Sequence, residues 1–147
     1  MPGSTTSLFP DINVWVALTH GRHVHHMIAR DWFESLEVEP RFYFCRFTQL
    51  GLLRLLTADA VMGDDVLTQA EAWAVYERWI SDDRVGFLTE PPSLERRFQA
   101  LSHTRQASPK AWADAYLAAF ADTAQVTLVT FDSAFQGRTA SLIMLDE

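Results

Sequence analysis

The chain has 147 residues, 48% of them hydrophobic, with a formal net charge of −7 and one cysteine, Cys45. That length buries a real core without room for two comfortable domains, so one domain over residues 1–147 is expected. A lone cysteine excludes an intrachain disulfide framework and a cysteine-based zinc site, the acidic balance argues against broad binding to nucleic-acid phosphates, and no apolar run approaches the roughly 20 residues that span a bilayer.

The residues from Met1 to Ser7 lack the basic region and apolar core of a leader, and the expectation is a soluble protein of the reducing cytoplasm, with no membrane partner. Ser7-Leu8-Phe9-Pro10 reads as a short strand, with Asp11 marking the change to a helix through Ile12 to Leu18. From His25 to Leu36, the apolar residues Met27, Ile28, Trp32, Phe33 and Leu36 recur at helical spacing, and Arg41 to Phe44 is a short aromatic strand. Thr48 is expected to cap a leucine-rich helix, and Asp64-Asp65 to precede a longer one carrying Trp73 and Ile80. Val85 to Leu88 reads as strand, and Pro91-Pro92-Ser93 opens a helix to about Leu101. Ser108-Pro109-Lys110 reads as an N-cap with proline at the first helical position, which predicts Asp114 in the second turn of a helix to about Ala121. Val126 to Phe131 is a β-branched apolar run typical of a buried parallel strand, ending at Asp132, and Leu142 to Leu145 reads as an edge strand. Strand and helix alternate without repeats, which favours an α/β fold with a parallel sheet covered on both faces.

Three aspartates far apart in the chain, Asp11, Asp114 and Asp132, stand where apolar segments meet helices. In open α/β sheets ligands collect beyond the carboxyl ends of the strands, which puts Asp11 and Asp132 on the functional rim. Each has a bland reading as a helix cap. Asp114 faces the apolar side of an alanine-rich helix, where an unpartnered carboxylate is costly. Clustered carboxylates raise one another's pKa and are tolerated with a cation between them, and the cation suited to oxygen ligands is Mg²⁺ or Mn²⁺.

The blocks Asp11-Ile12-Asn13-Val14-Trp15, Phe44 to Thr57, Ala113-Asp114-Ala115-Tyr116-Leu117-Ala118-Ala119 and Leu128-Val129-Thr130-Phe131-Asp132 resemble, in order and spacing, the PIN-domain ribonucleases of the VapC type. The resemblance covers essentially the whole chain. It implies a three-layer α/β/α domain with a central, mostly parallel sheet, cutting RNA with Mg²⁺ or Mn²⁺ as the toxin of a toxin–antitoxin pair, with a cognate antitoxin and a second copy of the chain as protein partners. Three of the family's four acidic positions match here as Asp11, Asp114 and Asp132, the expected metal ligands. The fourth, usually glutamate, is Gln49, which offers a carbonyl oxygen or a hydrogen bond to bound water but no charge. Asn13 and Thr130 are supporting candidates able to hydrogen-bond the carboxylates or a phosphate; their plain readings are a turn or cap residue and a strand residue.

His20, His23, His25 and His26 crowd one stretch, and imidazole is a common ligand of transition metals. They lack the i, i+4 spacing of a helical zinc motif and read as a polar loop, with one or two near substrate. The cations Arg22, Arg46, Arg54, Arg105, Lys110 and Arg138 are scattered, and Trp32, Trp73 and Trp112 read as core or subunit contact. Two other classes of protein compete. A phosphoacceptor receiver domain needs an early acidic pair and a lysine after a late strand, neither of which is plain here. A catalytically weak module that keeps the fold and binds RNA or an antitoxin is kept open by Gln49.

Overall fold

The computed structural model describes residues 6–36 and 40–146. Strands β1 (Ser7–Pro10), β2 (Arg41–Phe44), β3 (Val85–Phe87), β4 (Thr127–Thr130) and β5 (Leu142–Met144) form one sheet in the order β3-β2-β1-β4-β5, with every neighbouring pair parallel. The first crossover carries α1 (Ile12–Thr19) and α2 (His26–Ser35). The second carries α3 (Arg46–Leu56), the short α4 (Asp59–Met62), a 3-10 turn at Gly63–Asp65 and α5 (Gln69–Ile80). The third carries α6 (Leu94–Ser102) and α7 (Ala111–Ala124), and a 3-10 turn at Ser133–Phe135 precedes the edge strand.

Alternation along the strands sends consecutive residues to opposite faces and makes the two cores. Leu8, Phe42, Phe44 and Val129 pack with Val14 and Trp15 of α1, Leu52 and Leu56 of α3 and Tyr76 of α5. Phe9 and Leu128 pack on the other face with Leu94 of α6 and Leu117, Phe120 and Ala121 of α7. The result is the expected three-layer α/β/α arrangement. Trp15 fastens the first core, stacked on Phe44 at 3.9 Å and edge-on to Trp79 at 5.2 Å. Of the tryptophans read as core or contact, Trp73 and Trp112 are exposed, and so is Leu50. No helix among the described residues is long and apolar enough to cross a membrane.

Helix starts are where the structure departs from the sequence reading. Thr48 is not the first residue of the α3 cap: the helix begins at Arg46, and the Thr48 hydroxyl reaches back to accept the Cys45 N–H at 2.9 Å. α5 starts after Thr68, whose hydroxyl accepts the Glu71 N–H at 3.1 Å while the Glu71 carboxylate accepts the Thr68 N–H at 2.9 Å. That reciprocal box fixes the start more firmly than Asp64-Asp65 does. Ser108 accepts the Ala111 N–H at 3.1 Å through its backbone carbonyl, a turn that delays α7 to Ala111 and puts Asp114 in the first helical turn, not the second.

Candidate active site

The sheet order places β1 between β2 and β4. The chain leaves β1 for β2 through helices on one face and later reaches β4, on the other side of β1, through helices on the opposite face. Crossovers diverging in this way leave a crevice at the carboxyl ends of the two strands, the switch point of an open α/β sheet. Asp11 follows β1 and Asp132 follows β4, so both line this crevice.

Asp11 both caps α1 and lines the crevice. Its backbone N–H donates to the Val129 carbonyl at 2.9 Å, extending the β1–β4 ladder to the aspartate itself. Oδ1 accepts the Val14 N–H at 3.0 Å and so caps α1. Oδ2 accepts the hydroxyl of Thr130 in a short hydrogen bond. The same hydroxyl oxygen accepts the Asp132 N–H at 3.0 Å, and Asp132 Oδ1 accepts the Ala134 N–H at 2.9 Å to cap the following 3-10 turn. One fully buried hydroxyl thus sets the position of one carboxylate against the backbone of the other. Thr130 faces the site because it is the last residue of β4, on the side opposite the outward-turned Thr127 pair with Ser141.

Burial pushes the Asp11 carboxyl up to about 6; the hydrogen bonds from Thr130 and Val14 oppose this, and the charge of Asp132 adds to it. Asp114, half-buried on α7, is also raised, first by burial and then by Asp132, with Arg138 pulling the other way. Asp132 is therefore the charge that both other aspartates feel. Among the described residues no group of three His, Cys, Asp or Glu side chains forms a finished ligand set.

A cavity of about 380 Å³ opens here, lined by Asp11, Asn13, His23, Val24, His25, Phe131 and Asp132. Asn13 stands exposed at its edge. Gln49 and Asp114 do not line it. The Gln49 side chain is buried against its own helix, with Oε1 accepting from Arg46 Nη1, and the Arg46 guanidinium lies over the Phe87 ring at 4.8 Å. The histidines divide. His20 meets Asp65 at 3.0 Å and His26 Nδ1 meets the Ala17 carbonyl at 2.7 Å, both bracing the loop. His23 and His25 line the cavity. Burial, and then the other three histidines, hold the His23 imidazole below its ordinary value. Phe131 also lines the cavity, and its place between Thr130 and Asp132 is the only sequence signal for it.

Residues 8–140 match the model of the PIN domain. The chain is 44% identical to Ribonuclease VapC41 of Mycobacterium tuberculosis over 132 residues, covering 87% of this chain and 90% of that protein. Two solved structures share the fold. VapBC2 from Rickettsia felis, bound to a DNA fragment from its promoter, superposes with a TM-score of 0.69 at 13% identity, covering 96% of this chain and all of that one. Mycobacterium tuberculosis VapC20, described as a Sarcin-Ricin loop cleaving toxin, gives 0.64 at 18% identity, covering 88% and 92%. With its carboxylates at the switch point and a family match over nearly its whole length, the chain belongs to the PIN-domain family.

Proposed function

We propose that this protein is a ribonuclease, the toxin of a toxin–antitoxin pair, and that it hydrolyses RNA phosphodiester bonds at the Asp11–Asp132 crevice with Mg²⁺ or Mn²⁺. The carrying observation is the Thr130-bridged pair of carboxylates at the switch point of a chain 44% identical to a protein named as a ribonuclease. The donor chemistry suits a hard divalent ion: carboxylate oxygens, one of them on a buried group already raised toward neutrality, with another negative charge close by. Asp11 and Asp132 are the residues that would hold the ion, with Asp114 beside them. A divalent ion supplies a more acidic bound water and neutralises charge building on the phosphate oxygens.

The chain's own residues do the rest. Thr130 holds Asp11 Oδ2 and the Asp132 backbone in fixed relation, so the carboxylates need little reorganisation when substrate arrives. Asp114, on α7 and within reach of the charge of Asp132, completes the acidic face and is a candidate to orient or deprotonate the attacking water. Asn13 at the cavity edge can donate to a phosphate oxygen. Gln49, committed to Arg46, orders the start of α3 and stays out of the ion's ligand set. The exposed Leu50 and Trp73, on α3 and α5, provide apolar surface suited to a protein partner, an antitoxin or a second copy of the chain.

Asp132→Asn and Asp114→Asn test the reading. With folding verified by circular dichroism, each is expected to lose Mg²⁺-dependent cleavage of RNA by at least about 100-fold. Cleavage retained at the native rate in both would overturn the site.

A further inference from the structure

The cavity that holds Asp11 and Asp132 also holds an aromatic pair that the hydrolytic chemistry leaves unused. Phe131 sits between Thr130 and Asp132, so the strand end that fixes the carboxylates also fixes this ring. The His25 imidazole lies nearly flat upon it, with centroids 4.4 Å apart and planes 22° apart. Both rings are partly exposed and both line the cavity.

His25 is braced from its own side as well. Its N–H donates to His23 Nδ1 at 3.0 Å, and the loop around it is closed by His23 N–H to the His20 carbonyl at 2.9 Å and His26 N–H to the His23 carbonyl at 3.0 Å. His20 and Arg22 both meet Asp65, at 3.0 and 3.5 Å, and tie the loop to the turn before α5. The stacked pair is therefore held in place without a ligand.

Carboxylates and a divalent ion engage a phosphate, and neither offers a surface to a base. A flat ring face does, and stacking on aromatic side chains is how unpaired bases of RNA are held. The cavity, at about 380 Å³, lies within the range of small-ligand sites, about 300–1,000 Å³. A splayed-out nucleotide fits such a space; a base in a helix is already stacked on its neighbours and has no free face.

We propose that the His25–Phe131 pair is the platform on which an unpaired base next to the cleaved phosphate stacks. The proposal rests on the ribonuclease reading above. It assigns substrate positioning to two residues outside the acidic set.

The test uses the full chain and a pool of short mixed-sequence single-stranded RNAs with 2-aminopurine in place of adenine, whose fluorescence falls on stacking. Binding is read in the Asp114→Asn background to keep the RNA intact, and cleavage in the native background. His25→Leu keeps apolar bulk on Phe131 without an aromatic face. It is expected to abolish the quenching, weaken binding about 5- to 100-fold, and raise KM more than it lowers kcat, while His25→Phe restores all three. Phe131→Leu, on the other ring, gives the same loss should His25→Leu fold poorly. Unchanged quenching and affinity in His25→Leu would overturn the proposal, as would a His25→Phe variant as weak as His25→Leu, since recognition would then lie in the ring nitrogens. Native protein that cleaves no RNA overturns instead the ribonuclease reading, whatever the binding data give.

Discussion

Between the ordinary aspartate value of 3.8 and about 6, folded chains hold a proton on Asp11 that unfolded chains have lost. Folding stability attributable to this group is therefore fully present below 3.8 and falls as pH rises to about 6, because the folded state binds more protons across that window. In chelator, Asp11→Asn should melt about 6–12 °C above native protein at pH 7, with the gap closing toward pH 4. Melting curves across that range check it; a native protein as stable as the variant at neutral pH would mean that the folded chain already compensates the buried charge. Thr130 enters the same balance from the other side, because its hydroxyl is among the groups lowering the Asp11 pKa. Thr130→Val keeps the shape and leaves Asp11 Oδ2 and the Asp132 N–H without their partner, at a cost of about 1–3 kcal/mol. The acid limb of its pH–rate profile should move to higher pH, and Thr130→Ser should restore the native limb; an unmoved limb in the valine variant would remove Thr130 from the site.

At the scale of elements, the approach of α3 to α1 is set by one residue. A Cβ at Gly51 would stand 2.2 Å from Ile12 Cδ1 and 2.6 Å from Cγ1, too close for any real contact, and Ile12 is the residue after Asp11. Gly51→Ala should cost about 1–3 kcal/mol through overpacking, and much less in an Ile12→Ala background, where the clashing atoms are gone. Urea unfolding of the four proteins of that cycle measures the coupling; additive costs would mean that the helices part freely. The elements themselves were legible because their signals are local. The run Val126 to Phe131 is β-branched and apolar, and Pro10 limits β1 to four residues, with its pairs to β2 ending at Leu8. Helix starts were less legible, since Thr48 and Ser108 carry side chains suited to a cap and only backbone geometry decides whether they serve as one. Within the site, Asp11 and Asp132 could be read as strand-end residues, and Thr130 could be named but not its two-way hydrogen bond. Gln49 turning to Arg46 is an i, i+3 contact within α3 that the spacing allows but does not choose over the crevice, whereas His25 lying on Phe131 depends on packing between distant segments, which no local spacing encodes.

For the molecule as a whole, the site joins segments that only the folded chain brings together. Thr130 and Asp11 are 119 residues apart in sequence, and Asp114 arrives on a helix packed against the opposite face of the sheet. An ion held by these carboxylates, as proposed, would bind the native state and not the unfolded chain, and so would raise global stability by mass action, about 2.7 kcal/mol at a hundred times its dissociation constant. For a chain of this size that amounts to about 5–11 °C in melting temperature. Melting temperature should therefore climb with Mn²⁺ or Mg²⁺ in the native protein. It should stay flat in Asp11→Asn and Asp132→Asn, a readout independent of any RNA. The Gln49→Glu variant separates two readings of the missing fourth acid. Because Oε1 of Gln49 already accepts from Arg46 and the side chain lies off the cavity wall, a new carboxylate there is expected to pair with Arg46 and leave the Mn²⁺-dependent rise within about 2 °C of native. A markedly larger rise in Gln49→Glu, accompanied by faster cleavage, would bring position 49 into the ligand set and mark the native glutamine as a weakened fourth ligand.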